Sequence, residues 1–216
     1  MKKLSLLLVL MSSLSMSYSQ TSSDPEAKKI LDAVSAKFKS YKTAKASFVY
    51  SVENGEGKVL STKTGNVSMK GNKYSVSFSG QEIFCDGSNV WTYDKGANEV
   101  TITKLDASGS TITPQKLFTN FYDKDFLYKL NGEKKEGGRV LQEIEMTPND
   151  KSKPFHKVYL LIDKATRTIY RTTVIEKTGN RYIYTVSSLK PNLNMLDAQF
   201  VFDTTKYPGV EVIDLR

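Results

Sequence analysis

The stretch Gln81-Glu82-Ile83-Phe84-Cys85-Asp86-Gly87-Ser88-Asn89-Val90-Trp91-Thr92-Tyr93-Asp94-Lys95 decides the fold class. An Asp-Gly turn signal sits between two short runs of strand formers, which reads as a β-hairpin. The second arm carries the single tryptophan, Trp91, two residues before Tyr93. Alternation by two puts both rings on one face of the sheet. At this point two readings stand: the rings are core aromatics, or they line a cavity for an apolar ligand.

Upstream of the hairpin, Tyr74-Ser75-Val76-Ser77-Phe78-Ser79 alternates cleanly, apolar on one face and serine on the other. A strand over Val59 to Met69 and the Gly71-Asn72 turn precede it. Before those, Ala46, Phe48, Tyr50 and Val52 alternate, up to a turn at Asn54-Gly55-Glu56-Gly57. Asp24-Pro25 predicts a helix start, with Asp as N-cap and Pro at the first helical position. Ala27, Ile30, Leu31, Val34, Phe38 and Tyr41 then recur at helical spacing and form an apolar stripe.

Downstream, Glu99 to Lys104 reads as a strand and Asp106 to Ser110 as a polar connection. Thr113 to Tyr122 reads as a short aromatic helix carrying Leu117, Phe118 and Phe121. Strand patterns resume at Phe126 to Leu130 and Arg139 to Thr147, with a turn over Asn131 to Gly138 between them. They continue over Lys157 to Asp163, Thr168 to Lys177 and Arg181 to Lys190. The chain closes with Phe200-Val201-Phe202, a Pro208-Gly209 turn and Val210 to Ile213. About ten strands with short turns predict antiparallel neighbours. A sheet that long curls into a barrel or half-barrel. The expected class is therefore mainly β with helices: an incomplete antiparallel β-barrel, its apolar face covered by two helical segments.

The N-terminus reads as a signal peptide. Lys2 and Lys3 precede an apolar run, Leu4 to Leu14, and Ser17-Tyr18-Ser19 offers a cleavage site after Ser19. The run is shorter than the roughly 20 residues a bilayer span needs. The expectation is an exported chain, residues 20–216, forming one domain. Of 216 residues, 197 remain after removal of 19, and the formal charge falls from +8 to +6 with the two lysines. The basic residues are scattered, as on a solvated surface, and export argues against nucleic acid as a partner. The lone cysteine, Cys85, excludes an internal disulfide and sits in an apolar context that suits a buried thiol.

Catalytic chemistry is sparse. One histidine, His156, and one cysteine cannot build a His/Cys metal site. No Gly-x-Ser-x-Gly elbow, phosphate-binding glycine loop or dinucleotide fingerprint is present. Glu143 and Glu145 share a strand face opposite Ile144 and Met146 and read as its solvated side. The expectation is a protein without enzymatic activity, metal or cofactor.

In this frame the chain resembles the periplasmic outer-membrane lipoprotein carrier family, the LolA type. The resemblance rests on the opening helix running into Lys45-Ala46-Ser47-Phe48, on Gly65-Asn66-Val67 leading to Met69-Lys70, and on Tyr74, Val76 and Phe78. It rests above all on Asp86-Gly87 followed by Val90-Trp91-Thr92-Tyr93-Asp94, and on Phe200-Val201-Phe202 with Pro208-Gly209-Val210. It implies a half-barrel with a helical lid over an apolar cavity. It implies a monomeric carrier taking lipoprotein acyl chains from an inner-membrane ABC-type release complex to an outer-membrane acceptor. The same fold used as an exported lipid- or protein-binding module, an envelope sensor or assembly factor, is the alternative. On this resemblance the acyl cavity is expected at Phe48, Tyr50, Val67, Met69, Tyr74, Val76, Phe78, Ile83, Trp91 and Tyr93. The lid is expected at Leu31, Val34, Phe38, Leu117, Phe118 and Phe121. The family often has Arg-Pro after the second strand, an arginine that can hold the lid closed. Here Lys70-Gly71 stands there, so Lys70 is the candidate latch, without the planar fork of arginine.

Overall fold

The computed structural model describes residues 23–105 and 122–216. The signal peptide, and Leu117, Phe118 and Phe121 of the expected lid, lie outside the described residues.

Helix α1 spans Pro25–Lys39. Asp24 caps it: one carboxylate oxygen accepts from the Glu26 N–H at 2.8 Å. The other accepts from the Leu130 N–H at 3.0 Å, and the Asp24 N–H donates to the Tyr128 carbonyl at 2.9 Å. One residue thus starts the helix and fastens it to a strand over 100 positions away. These donors hold the Asp24 carboxyl below its ordinary range, the Leu130 N–H foremost.

The strands are β1 (Thr43–Glu53), β2 (Val59–Lys70), β3 (Lys73–Phe78), β4 (Gln81–Cys85), β5 (Asn89–Asp94) and β6 (Glu99–Lys104). After helix α2 (Tyr122–Asp125) come β7 (Phe126–Glu136), β8 (Arg139–Pro148), β9 (Phe155–Asp163), β10 (Thr168–Glu176), β11 (Arg181–Pro191) and β12 (Glu211–Asp214). All twelve form one sheet in the order β12-β6-β5-β4-β3-β2-β1-β11-β10-β9-β8-β7. Among the described residues it is open, with β12 and β7 at its edges. Two meanders, β1–β6 and β7–β11, are joined by antiparallel pairing of β1 with β11. Strand β12 adds to β6 in parallel, the exception to the antiparallel expectation.

Two elements differ from the sequence reading. The turn expected over Asn131 to Gly138 is strand as far as Glu136, with a bulge between Leu130 and Gly132. The reversal itself takes only Gly137 and Gly138, both at positive φ. Of the expected aromatic helix, only Tyr122 is described; it opens α2, and its hydroxyl donates to Asp32 of α1 at 2.9 Å.

The inner face of the sheet, toward α1, holds two clusters. Ala27, Leu31 and Val34 of α1 pack on Tyr128, Ile144, Met146, Val158, Leu160 and Ile162. Phe38 and Tyr41 pack on Ala44, Ala46, Val67, Met69, Tyr74 and Cys85. Each large apolar side chain buried this way contributes about 1.5–3 kcal/mol. The outer face holds a third cluster, Trp91, Tyr93, Val100 and Ile102 beneath Phe202 and Tyr207.

Candidate binding face

Register settles which residues share the inner face. Val76 lies opposite Val67 on one side and Ile83 on the other. Across the central hairpin, Cys85 pairs with Val90 and Ile83 with Thr92, while Trp91 pairs with Phe84. The four residues Asp86 to Asn89 between the paired Cys85 and Val90 therefore match odd positions of β4 with even positions of β5. Trp91 and Tyr93 do share a face, as the alternation predicts, but it is the outer one. There Phe202 packs on Tyr93 with ring centroids 5.4 Å apart, and Tyr207 stacks on Phe202 at 4.3 Å. The expectation that Trp91 and Tyr93 line the cavity is corrected: they are core aromatics under the C-terminal segment.

The other expected cavity residues divide in two. Val67, Met69 and Tyr74 are buried in the second inner cluster, and Val76 and Ile83 pack against it together with Phe38 of α1 and Tyr41. Burial pushes the Tyr74 hydroxyl up to about 12, with Cys85 adding to the shift, and burial raises the Cys85 thiol as well. Beneath Val34, Phe38 and Tyr41 the space left against Ala46, Met69 and Leu189 is a slot of about 20 Å³. That is room for about one water molecule, so under the helix the face is filled.

Phe48, Tyr50 and Phe78 lie further along the inner face and are half-buried. Phe48 approaches Phe78 with centroids 5.6 Å apart, and Tyr50 approaches Phe78 edge-on at 5.5 Å. Two tyrosines from β11 complete the group. Tyr184 lies 4.9 Å from Tyr50, and Tyr182 stacks on Tyr50 at 6.2 Å. The sequence reading passed over both, although they alternate within a strand it identified. Tyr184 is 41% exposed. The Phe48 ring lies flat on the backbone of Gly65, its partner in β2: a Cβ there would sit 2.3 Å from Phe48 Cζ. The result is a continuous aromatic floor. The hydroxyls of Tyr50 and Tyr184 titrate above the ordinary tyrosine range, chiefly through burial, so the floor carries no phenolate at neutral pH.

Leu31 and Val34 are fixed parts of the core, and Phe38 closes the slot. Lys70 does not reach the helix. Its ammonium donates to the Met195 carbonyl at 2.9 Å and pairs with Asp197 at 2.8 Å. Met69 faces α1, so Lys70, its neighbour in an extended strand, points to the outer face. It ties the end of β2 to the C-terminal segment, and with Lys73 it holds the Asp197 carboxyl down at about 2. The latch expectation is corrected accordingly.

The groups weighed for catalysis have other partners. Glu145 is ion-paired with Lys157 and Lys129, and Glu143 with Lys134. Their side chains are only 12% and 15% exposed, so this face is covered by lysines rather than open to solvent as expected. His156 is exposed and lies within β9. Among the described residues no group of three His, Cys, Asp or Glu could hold a metal ion, and no helix is long and apolar enough to cross a membrane.

Comparisons with known proteins agree with this geometry. The family model "Outer membrane lipoprotein carrier protein LolA" matches residues 39–203. The chain is 27% identical over 180 residues to the outer-membrane lipoprotein carrier protein of Cupriavidus pinatubonensis, covering 80% of this chain and 81% of that one. It is 30% identical over 125 residues to the protein of that name from Cupriavidus necator, covering 54% and 57%. Among solved structures, an uncharacterized conserved protein from Thermus thermophilus superposes with a TM-score of 0.59 at 16% identity, covering 88% of this chain and 99% of that one.

Proposed function

The chain belongs to the LolA family of outer membrane lipoprotein carriers, and from that premise we propose that it holds lipoprotein acyl chains on the aromatic floor and ferries them across the periplasm. The observation that carries this reading is the half-exposed group Phe48, Tyr50, Phe78, Tyr182 and Tyr184 beside a helix that leaves it uncovered. Removing an acyl chain from water gains about 0.8 kcal/mol per CH₂. A floor open on one side captures only part of that, which keeps affinity moderate enough for release. The reaction is binding and handover, with no bond made or broken. The donor is an inner-membrane ABC-type lipoprotein release complex and the recipient an outer-membrane acceptor. Residues 20–216 act as one carrier domain, after export and cleavage behind Ser19.

The test is calorimetric titration of a diacylated lipopeptide and its unacylated twin into delipidated protein. Acyl-dependent, saturable binding that Phe78→Glu abolishes while the fold is retained supports the carrier. Equal binding of both peptides points to a protein-binding module. Unchanged binding in Phe78→Glu refutes the aromatic floor as the site.

A further inference from the structure

The sheet splits within its second meander, between β10 and β11, at one end. Pairing of β10 with β11 runs from Ile175 opposite Arg181 to Arg171 opposite Thr185 and then stops. Both strands continue. Strand β10 begins at Thr168, held by β9, and β11 reaches Pro191, held by β1. At the apex the Arg171 guanidinium donates to the Thr185 hydroxyl at 3.1 Å. Beyond it lies a cleft of about 460 Å³, bordered by Thr168, Tyr170, Val186, Ser188, Lys37 and Arg139.

The lining comes from both faces. Val186 pairs with Phe48 and so belongs to the inner face, as does Lys37 on α1; Ser188 pairs with Ser47 on the outer side. The gap is therefore lined from both faces, and Val186 sets its inner side next to Phe48, at the end of the aromatic floor. In an antiparallel pair alternate peptide groups point away from the partner strand. Among the described residues, those groups along Val186 to Pro191 have β1 on one side only and face the cleft. The two cations are no anion trap: Arg139 is paired with Asp163 at 3.1 Å, and Lys37 lies over the Tyr41 ring. Hydroxyls, peptide groups and tyrosine edges suit an uncharged extended backbone better than a phosphate.

We propose that this gap receives the extended polypeptide that follows the acylated end of the cargo, with its backbone pairing along the free edge of β11. The inference rests on the carrier reading and deepens it: acyl chains lie on the floor, and the attached peptide leaves through the split. Because the gap is open at the sheet's end, the peptide slides in sideways and need not thread.

The experiment compares a diacylglyceryl-cysteine peptide with about ten uncharged polar residues, roughly 3.3 Å each when extended, and the same diacylglyceryl cysteine ending as an amide. Amide hydrogen exchange is followed in the mature protein. Both ligands are expected to bind, and the peptide-bearing one alone to slow exchange within residues 186–191, about tenfold. Ser188→Trp, which fills the gap, is expected to cut affinity for the long ligand about tenfold and leave the short one unchanged. Equal exchange with both ligands overturns the proposal. So does a Ser188→Trp effect that is the same for both, or protection of these amides by phosphatidylglycerol vesicles alone. If neither ligand binds, the carrier reading falls and the gap proposal falls with it, a result distinct from binding without protection. Should Ser188→Trp fail to fold, the exchange comparison on the unmodified chain decides.

Discussion

Gly65→Ala probes the aromatic floor from below. The glycine does not sit at positive φ, so its backbone tolerates a side chain. The obstacle is the Phe48 ring: the new Cβ would lie 2.3 Å from Cζ and under 3.0 Å from both Cε atoms. The ring must swing away, which disturbs its contact with Phe78 and through Phe78 that with Tyr50. Overpacking of this kind costs about 1–3 kcal/mol, and the aromatic pair contributes about 0.5–1.5 kcal/mol. Against this, alanine in a strand is favoured over glycine by about 0.5–1 kcal/mol. The terms sum to an expected net loss of about 2 kcal/mol, read as a lower urea midpoint with unchanged slope. In a Phe48→Ala background the obstacle is gone, and the same substitution is expected to be neutral or stabilising by about 0.5 kcal/mol. Acyl-peptide affinity should fall in Gly65→Ala, since the floor is no longer flat. If Gly65→Ala costs the same in both backgrounds, the Phe48 ring is not what excludes a side chain at this position.

Three further outcomes are expected. Phe202→Ala, which removes the ring packed on Phe84 and Tyr93, should cost about 3–5 kcal/mol and red-shift Trp91 emission, while saturating acyl ligand leaves that emission unchanged; a ligand-induced Trp91 shift would place the tryptophan back at the site. Leu31→Ala, at a helix position 2% exposed, should cost about 2–4 kcal/mol in denaturant titration; a loss under about 1 kcal/mol would mean that α1 is not fixed to the sheet. The Glu145 carboxyl is held below its ordinary range, first by Lys157. Its contribution is therefore complete above the unfolded value of about 4.3 and is lost as pH falls through the lower folded value. Glu145→Gln should lower the denaturation midpoint at pH 7 and flatten its fall toward acid; parallel curves for the two proteins would refute this.

Much of the sheet was legible because alternation by two survives in single strands. Tyr74, Val76 and Phe78 face inward as read, and the Asp24-Pro25 helix start is where the sequence puts it. The face of Trp91 was not legible. It depends on the parity of the Asp86 to Asn89 connection, and a change of one residue there would turn the same rings inward. The pairing of β1 with β11 was also hidden, since no local signal names a partner so distant in sequence. That pairing brings Tyr182 and Tyr184 against Tyr50, so the floor emerges only once the meanders are joined. Lys70 misled because its charge was legible and its direction was not.

The single joint between the meanders also bears on how the chain reaches this state. Within each meander, neighbouring strands are neighbours in sequence and can assemble while short segments are emerging. The joint sets Ala44 opposite Pro191, and β12 reaches β6 from the C-terminus. Such distant closures are intrinsically slow. A chain delivered N-terminus first would hold β1 with one side vacant until nearly all of it had arrived. During that interval Phe48 and Tyr50 would lie beside an unpaired strand, the arrangement most prone to association with other chains. The aromatic floor proposed to hold acyl chains in the finished protein is thus also a part of the nascent chain in need of protection.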